Sequence, residues 1–343
     1  MLTPIDSTTG LAVGTFGIAR LDDGRRRFAA IVRANGEIVD VSVPFPNIMA
    51  IYEDWPRSFD TLVNLEATSV ALDRAFANHR ACAPVERPQI FGAGSNFRQH
   101  VAEMYTYNKM NQHNRRPGES DEVFLQRNLK LVDERRLTGI PFFWVGTHGS
   151  MIGAEDNVVL PPIGTQHDWE AEVCCVVAGG AKRFMSPEEA GSVIVGYAVS
   201  NDFGTIDQFR RTDVNWGHDF ISKHSPTFKA IGPFVVPKAF VKWSDDVKIQ
   251  FRINGEMRQN WPVTDMIFSP EEILSYASER VRLLGGDLML TGSPPGNGAK
   301  YGQFMQHGDI VETEVTSLGR QRNSVVAEDL GGRKPHFGAF RAD

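Results

Sequence analysis

The sequence predicts a β-rich α+β protein in two parts: a small α+β domain over residues 1–85 and a larger domain over 86–343. Three observations predict it. Glycine (32) and proline (19) are plentiful in 343 residues, so turns are frequent. Most apolar runs beyond Ile90 are short and end at those turns. Clear helix starts are few, and they are sharply capped.

In the first part, Gly14–Ala19 runs to a turn at Asp22-Asp23-Gly24, and Phe28–Val32 runs to a turn at Asn35-Gly36, followed by Glu37–Val41. Asn-Gly between apolar runs favours a tight hairpin, because both residues tolerate positive φ. Residues 60–80 carry helical spacing through Leu62, Leu65, Val70, Leu72 and Phe76. Pro84 and Pro88 punctuate a linker. In the second part, Ser186-Pro187-Glu188-Glu189 and Ser269-Pro270-Glu271-Glu272 place Ser at the N-cap, Pro at N1 and Glu at N3. Asp121–Arg136 keeps Val123, Leu125, Leu129 and Val132 at helical spacing. The polar stretch before it, Tyr105–Gly118, holds Asn108, Asn111, Asn114 and Pro117, so Met104–Leu137 is expected to act as a lid, a surface insertion or a dimer contact being the alternative.

Bulk properties exclude several classes of function. The net charge is −6 and the basic residues are scattered, which argues against a nucleic-acid partner. No run approaches the ~20 apolar residues of a membrane span. Met1–Gly10 lacks the basic start and apolar core of a secretory signal. Cys82, Cys174 and Cys175 have no metal-type spacing and are expected as free buried thiols in a reducing cytoplasm.

The run His167–Val177 is the most informative. Read as a strand entering the core, it puts Glu170 and Glu172 on one face, because side chains two apart share a face. Two like charges there repel, and burial worsens the conflict. A hard divalent cation removes it; on this spacing alone, an exposed edge strand with both glutamates in water is the simpler reading. Val193–Asp202 is a second apolar strand that ends in an acid, and Asp202 could equally cap a helix. His100 and Glu103 lie three apart, one face of a helical turn, where a carboxylate can orient an imidazole as a general base. A surface His–Glu pair has the same spacing.

Taken in order, several motifs resemble the fumarylacetoacetate hydrolase family. They are Gly94–His100, Trp169–Glu172, Gly196–Asp202, Gly232-Pro233, Asn254-Gly255-Glu256 with Gln259, Gly286-Asp287, Thr291–Gly296, Gly308-Asp309 and Leu318-Gly319 with Asn323. The resemblance covers about residues 90–325. It implies the family's mixed-sheet α+β fold, a homodimer and a small dicarbonyl or 2-oxo-acid substrate, in a setting such as aromatic catabolism. It also implies Mg²⁺, Mn²⁺ or Ca²⁺ on Glu170, Glu172 and Asp202. His100 with Glu103 matches the family's proton-transfer pair, and Lys223 its lysine near the substrate oxygen. Asn96, Phe97, Thr291 and Gly292 match its substrate loops. The activity so implied is metal-dependent hydrolysis of a C–C bond in a 1,3-dicarbonyl or acylpyruvate-like substrate. Decarboxylation of a β-keto acid such as oxaloacetate and isomerisation of a 2-hydroxy-diene acid use the same groups; a catalytically silent homologue is the non-enzymatic alternative. The sequence departs from the family at Ile206 and Phe209, where arginine and glutamine are usual, and near Trp144 and Pro226, where lysine and aspartate are usual. Ile206, Phe209 and Trp144 predict a more apolar pocket, with Arg210 or Arg211 as replacement charge.

Overall fold

The computed structural model describes residues 3–72, 75–107, 111–209, 211–213 and 219–339. The expected β-rich α+β architecture is present. Among the described residues, twelve strands form one mixed sheet, five form a second, and two short strands pair apart from them. The N-terminal hairpins form as read: Phe16–Asp22 pairs with Arg27–Arg33, which pairs with Ile38–Asp40. Phe16–Asp22 also pairs with Phe234–Pro237 through Ile18 and Val235. The large sheet therefore crosses the expected 85/86 boundary without a break. It continues through Ile194–Asp202, Ala171–Val177, Leu288–Leu290 and Ile90–Gly94 to the edge strand Phe142–Gly146.

This sheet carries an apolar cluster on each face. Val173, Cys175, Val177, Tyr197 and Val199 belong to one, and Cys174, Val176, Ala198, Ile231 and Leu290 to the other. That alternation is what a strand buried on both faces requires. All three cysteines are free and buried. No helix among the described residues is long and apolar enough to cross a membrane.

Both capping boxes form as expected, at the starts of Pro187–Ser192 and Pro270–Ser278. The helix expected over 60–80 is displaced. It runs over Trp55–Thr68, begins with Pro at its first turn and ends before an extended Ser69. Val70, 91% exposed, is off the core. Its apparent helical spacing arises from chain that returns to pair with the first sheet, where the Leu72 N–H donates to the Ile38 carbonyl.

The Met104–Leu137 segment contributes parts of two helices, Arg98–Tyr107 and Asp121–Thr138. Residues 108–110 lie outside the described residues. The second helix buries Phe124, Asn128, Leu129 and Val132, while Val123 is 55% exposed. Leu129 and Val132 face inward as read, but the stripe opens at Phe124 rather than Val123 and takes in Asn128, while Leu125 is half-buried. Asn128 hides the stripe in the sequence; it is buried because Asn111 donates to its Oδ1 and it donates to Thr106. Arg98 joins the two helices through both oxygens of Asp133.

Candidate metal centre

Strand register builds the centre. Ala171–Val177 runs antiparallel to Ile194–Asp202, with Ala171 opposite Asn201 and Glu172 opposite Ser200. Glu170 precedes the assigned strand, and its carbonyl accepts from the Asp202 N–H at 2.9 Å. Residues opposite one another share a face, so Glu170, Glu172 and Asp202 converge. One carboxylate oxygen from each lies within 4.8 Å of the others. Glu172 and Asp202 are buried and Glu170 is half-buried.

The acids are not equivalent. Burial pushes the Glu172 carboxyl well above the usual range, and the charges of Asp202 and Glu170 push it further. The Gly292 N–H, donated to its Oε2 at 2.8 Å, opposes this. Gly292 holds φ +95°, a conformation that favours glycine. Burial also raises Glu170, against the pull of Lys223. Asp202 differs: burial works against its charge, yet Lys223 and Lys229 hold its pKa below the usual value.

Lys223 bridges two of the acids. Its Nζ lies 2.6 Å from Glu170 Oε2 and pairs with Asp202 Oδ2. Burial works against this ammonium, but Asp202 and Glu170 keep its pKa above the usual value. The other oxygen of Asp202 pairs with Lys229, a residue that sequence reasoning missed. The available signal was a lysine inside the apolar run Thr227-Phe228-Lys229-Ala230-Ile231.

His100 and Glu103 both lie on the Arg98–Tyr107 helix. Burial lowers the His100 pKa to about 4; Glu103 opposes this, while Lys300 and Lys223 reinforce it. Glu103 accepts from Gln99 at 3.0 Å and pairs with Lys300 at 2.9 Å.

The residues matched to substrate loops lie beneath the surface. The Asn96 side chain donates to the Phe268 and Thr291 carbonyls and accepts the Phe268 N–H. Phe97 is fully buried in the core. Thr291 donates its hydroxyl to the Val173 carbonyl. Gly292 hydrogen-bonds one of the carboxylates, Glu172.

Two residues at departures from the family pattern flank Lys223. Its Nζ lies 5.3 Å from the Trp144 ring centre and 5.8 Å from that of Phe209. Ile206 is half-buried, and Pro226 is exposed. Arg211 pairs with Asp213 and Asp219, and Arg210 lies outside the described residues.

The donor set fits a hard divalent cation. It is all carboxylate oxygen, it comes from adjacent strands, and it includes a buried acid, Glu172, that pairs directly with no lysine among the described residues.

Residues 89–326 match the model of the fumarylacetoacetate hydrolase C-terminal domain. The chain belongs to this family. A 2,4-didehydro-3-deoxy-L-rhamnonate hydrolase of Sphingomonas sp. (strain SKA58) is 35% identical over 208 residues, 59% of this chain and 68% of that protein. The human mitochondrial oxaloacetate tautomerase FAHD2A is 36% identical over 180 residues, 52% of this chain and 56% of that protein. The chain thus spans little more than half of the tautomerase. Among solved structures, maleylpyruvate hydrolase from Sphingobium sp. SYK-6, with manganese(II) and pyruvate, superposes with a TM-score of 0.68 at 19% identity. That match covers 91% of this chain and all of the other. Fumarylacetoacetate hydrolase from Exiguobacterium antarcticum gives 0.70 at 22% identity, over 92% of this chain and all of the other. These two likenesses bear on the fold alone.

Proposed function

We propose that this chain is a divalent-cation-dependent enzyme that cleaves a C–C bond in a small 1,3-dicarbonyl or acylpyruvate-like substrate. The observation that carries the reading is the convergence of Glu170, Glu172 and Asp202 with Lys223 set among them. Glu170, Glu172 and Asp202 would hold Mg²⁺ or Mn²⁺. A bound cation of this kind supplies Lewis acidity, polarising substrate oxygens.

The chain's own residues divide the remaining work. Lys223 presents a fixed positive charge where an enolate oxygen develops in the leaving fragment. His100, kept neutral above about pH 4, can take the proton of an attacking water. Glu103, held by Gln99 and Lys300, lies one helical turn along from it. Trp144 and Phe209 give the surroundings of Lys223 an apolar character, which strengthens charge interactions there. Asn96, Phe97, Thr291 and Gly292 are the residues proposed to shape the substrate site: Asn96 holds the Thr291 carbonyl, and the Gly292 N–H fixes Glu172. The expected homodimer can be checked by light scattering.

Keto–enol isomerisation is the second reading. It needs no attacking water, only a neutral base near a cation, and the neutral His100 influenced by Lys223 favours it equally. One assay separates the two. Acylpyruvates and oxaloacetate are presented with Mn²⁺, following both pyruvate release and enol absorbance. Metal-dependent pyruvate release from an acylpyruvate supports hydrolysis. Enol loss without pyruvate supports isomerisation. Neither change with any substrate, in metal-loaded protein, would refute an enzymatic reading.

A further inference from the structure

Lys229 has no part in the chemistry above, yet it is built into the centre. It begins the strand Lys229–Ile231 and stands directly opposite Asp202 in the register. Its side chain has no exposure. Its Nζ pairs with Asp202 Oδ1 and donates to the Lys223 carbonyl, tying both residues to one point. The Trp144 ring centre lies 5.1 Å from this Nζ and 5.3 Å from that of Lys223, so one indole serves two ammonium groups. Gly92 makes room for the ring: a Cβ there would stand 2.0 Å from it.

Burying a lysine is costly in desolvation and in side-chain entropy, and a buried ion pair taken whole is often no more stabilising than apolar residues of the same volume. Packing therefore does not account for Lys229. Charge does. With every group in the ionised form that a bound divalent cation requires of its ligands, three carboxylates carry −3 and Lys223 with Lys229 carries +2, which leaves −1. Without Lys229 the balance is −2. A divalent cation then brings the centre to +1 with Lys229 present and to 0 without it. The first arrangement holds the cation less firmly and attracts an anionic ligand more strongly.

We propose that Lys229 is a positioning residue that lowers the affinity of the triad for its divalent cation and raises that of the loaded centre for an anionic, enolate-like substrate. The inference rests on the metal-centre reading, so the test begins with the wild-type protein. Calorimetric titration of metal-stripped wild type with Mn²⁺ must first show binding at one site. Its absence refutes the metal centre itself.

The same titration is then run on Lys229→Gln, which keeps hydrogen-bonding capacity without charge, and on Lys229→Met, which keeps neither. Both are expected to bind Mn²⁺ at least tenfold more tightly than wild type. Both Mn²⁺-loaded variants are expected to bind oxalate, a planar dianion, at least threefold more weakly. A merely structural lysine predicts the opposite pattern: near wild-type values for Gln and weakened Mn²⁺ binding for Met. Unchanged or weaker Mn²⁺ binding in both variants overturns the proposal. So does tighter Mn²⁺ binding without weaker oxalate binding. Failure of both variants to fold even with Mn²⁺ present would assign Lys229 to structure alone and overturn it as well.

Discussion

Replacing Lys223 with methionine probes how the folded chain tolerates its own carboxylates. The substitution keeps the stem's volume and removes an ammonium that touches Glu170 and Asp202. Removing one partner of a buried ion pair costs about 3–5 kcal/mol, because the other charge stays behind. Two features place this case at the low end. Lys229 still pairs with Asp202, and the Glu170 side chain is 23% exposed and so partly hydrated. A loss of about 3 kcal/mol is expected. A chain of this length has an unfolding entropy of about 0.7 kcal/mol per kelvin, so the midpoint should fall by about 4 °C. Differential scanning calorimetry in EDTA reads this directly. The deficit should shrink when Mn²⁺ is added, because a bound cation supplies positive charge to the same oxygens. A midpoint within 1 °C of wild type in EDTA would refute the reasoning. So would a deficit that Mn²⁺ leaves unchanged.

Glu170→Ala or Asp202→Ala should abolish bound divalent cation while leaving the circular dichroism spectrum close to wild type; metal analysis matching wild type would remove those residues from the centre. His100→Ala should lower turnover by a factor of ~10²–10⁴ without changing metal content, as steady-state kinetics and metal analysis together will show. In wild type, the His100 pKa of about 4 lies below the ordinary 6.5, so the unfolded chain binds more protons between those values. Stability should therefore rise with pH across about 4–6.5, and His100→Gln should flatten that rise in thermal melts. If the segment that follows His100 closes over substrate, hydrogen exchange across residues 100–125 should slow when oxalate binds the Mn²⁺-loaded protein.

Local chemistry made part of the fold legible. Asn35-Gly36 and the two Ser-Pro-Glu-Glu starts settle their own geometry within a few residues, and all three formed where the sequence put them. The helix read over 60–80 failed for a physical reason. Apolar residues at helical spacing also arise where extended chain lies against a sheet, and Leu72 does so through its hydrogen bond to Ile38. Val123 misled in a different way. The stripe it seemed to open is set by Phe124 and Asn128, and the asparagine is inward only because Thr106 and Asn111 satisfy its amide.

At the centre, the limit of sequence reasoning is strand pairing. Glu170 and Glu172 could be placed on one face because period two is a property of a single strand. Bringing Asp202 to them took the resemblance, since nothing in either strand alone states the register. Lys229 needed the register of a third strand, and Trp144 needed the parallel and antiparallel neighbours that set it across Gly92. Gln321 needed still more: its amide nitrogen donates to the carbonyls of Val199, Ala230 and Gly232. Its single side chain clamps the strands that carry Asp202 and Lys229, from a position about ninety or more residues away. A lysine within an apolar run and a departure such as Trp144 are therefore one signal. Each looks anomalous alone, and each becomes intelligible when the sheet sets the acid, the two ammonium groups and the indole side by side.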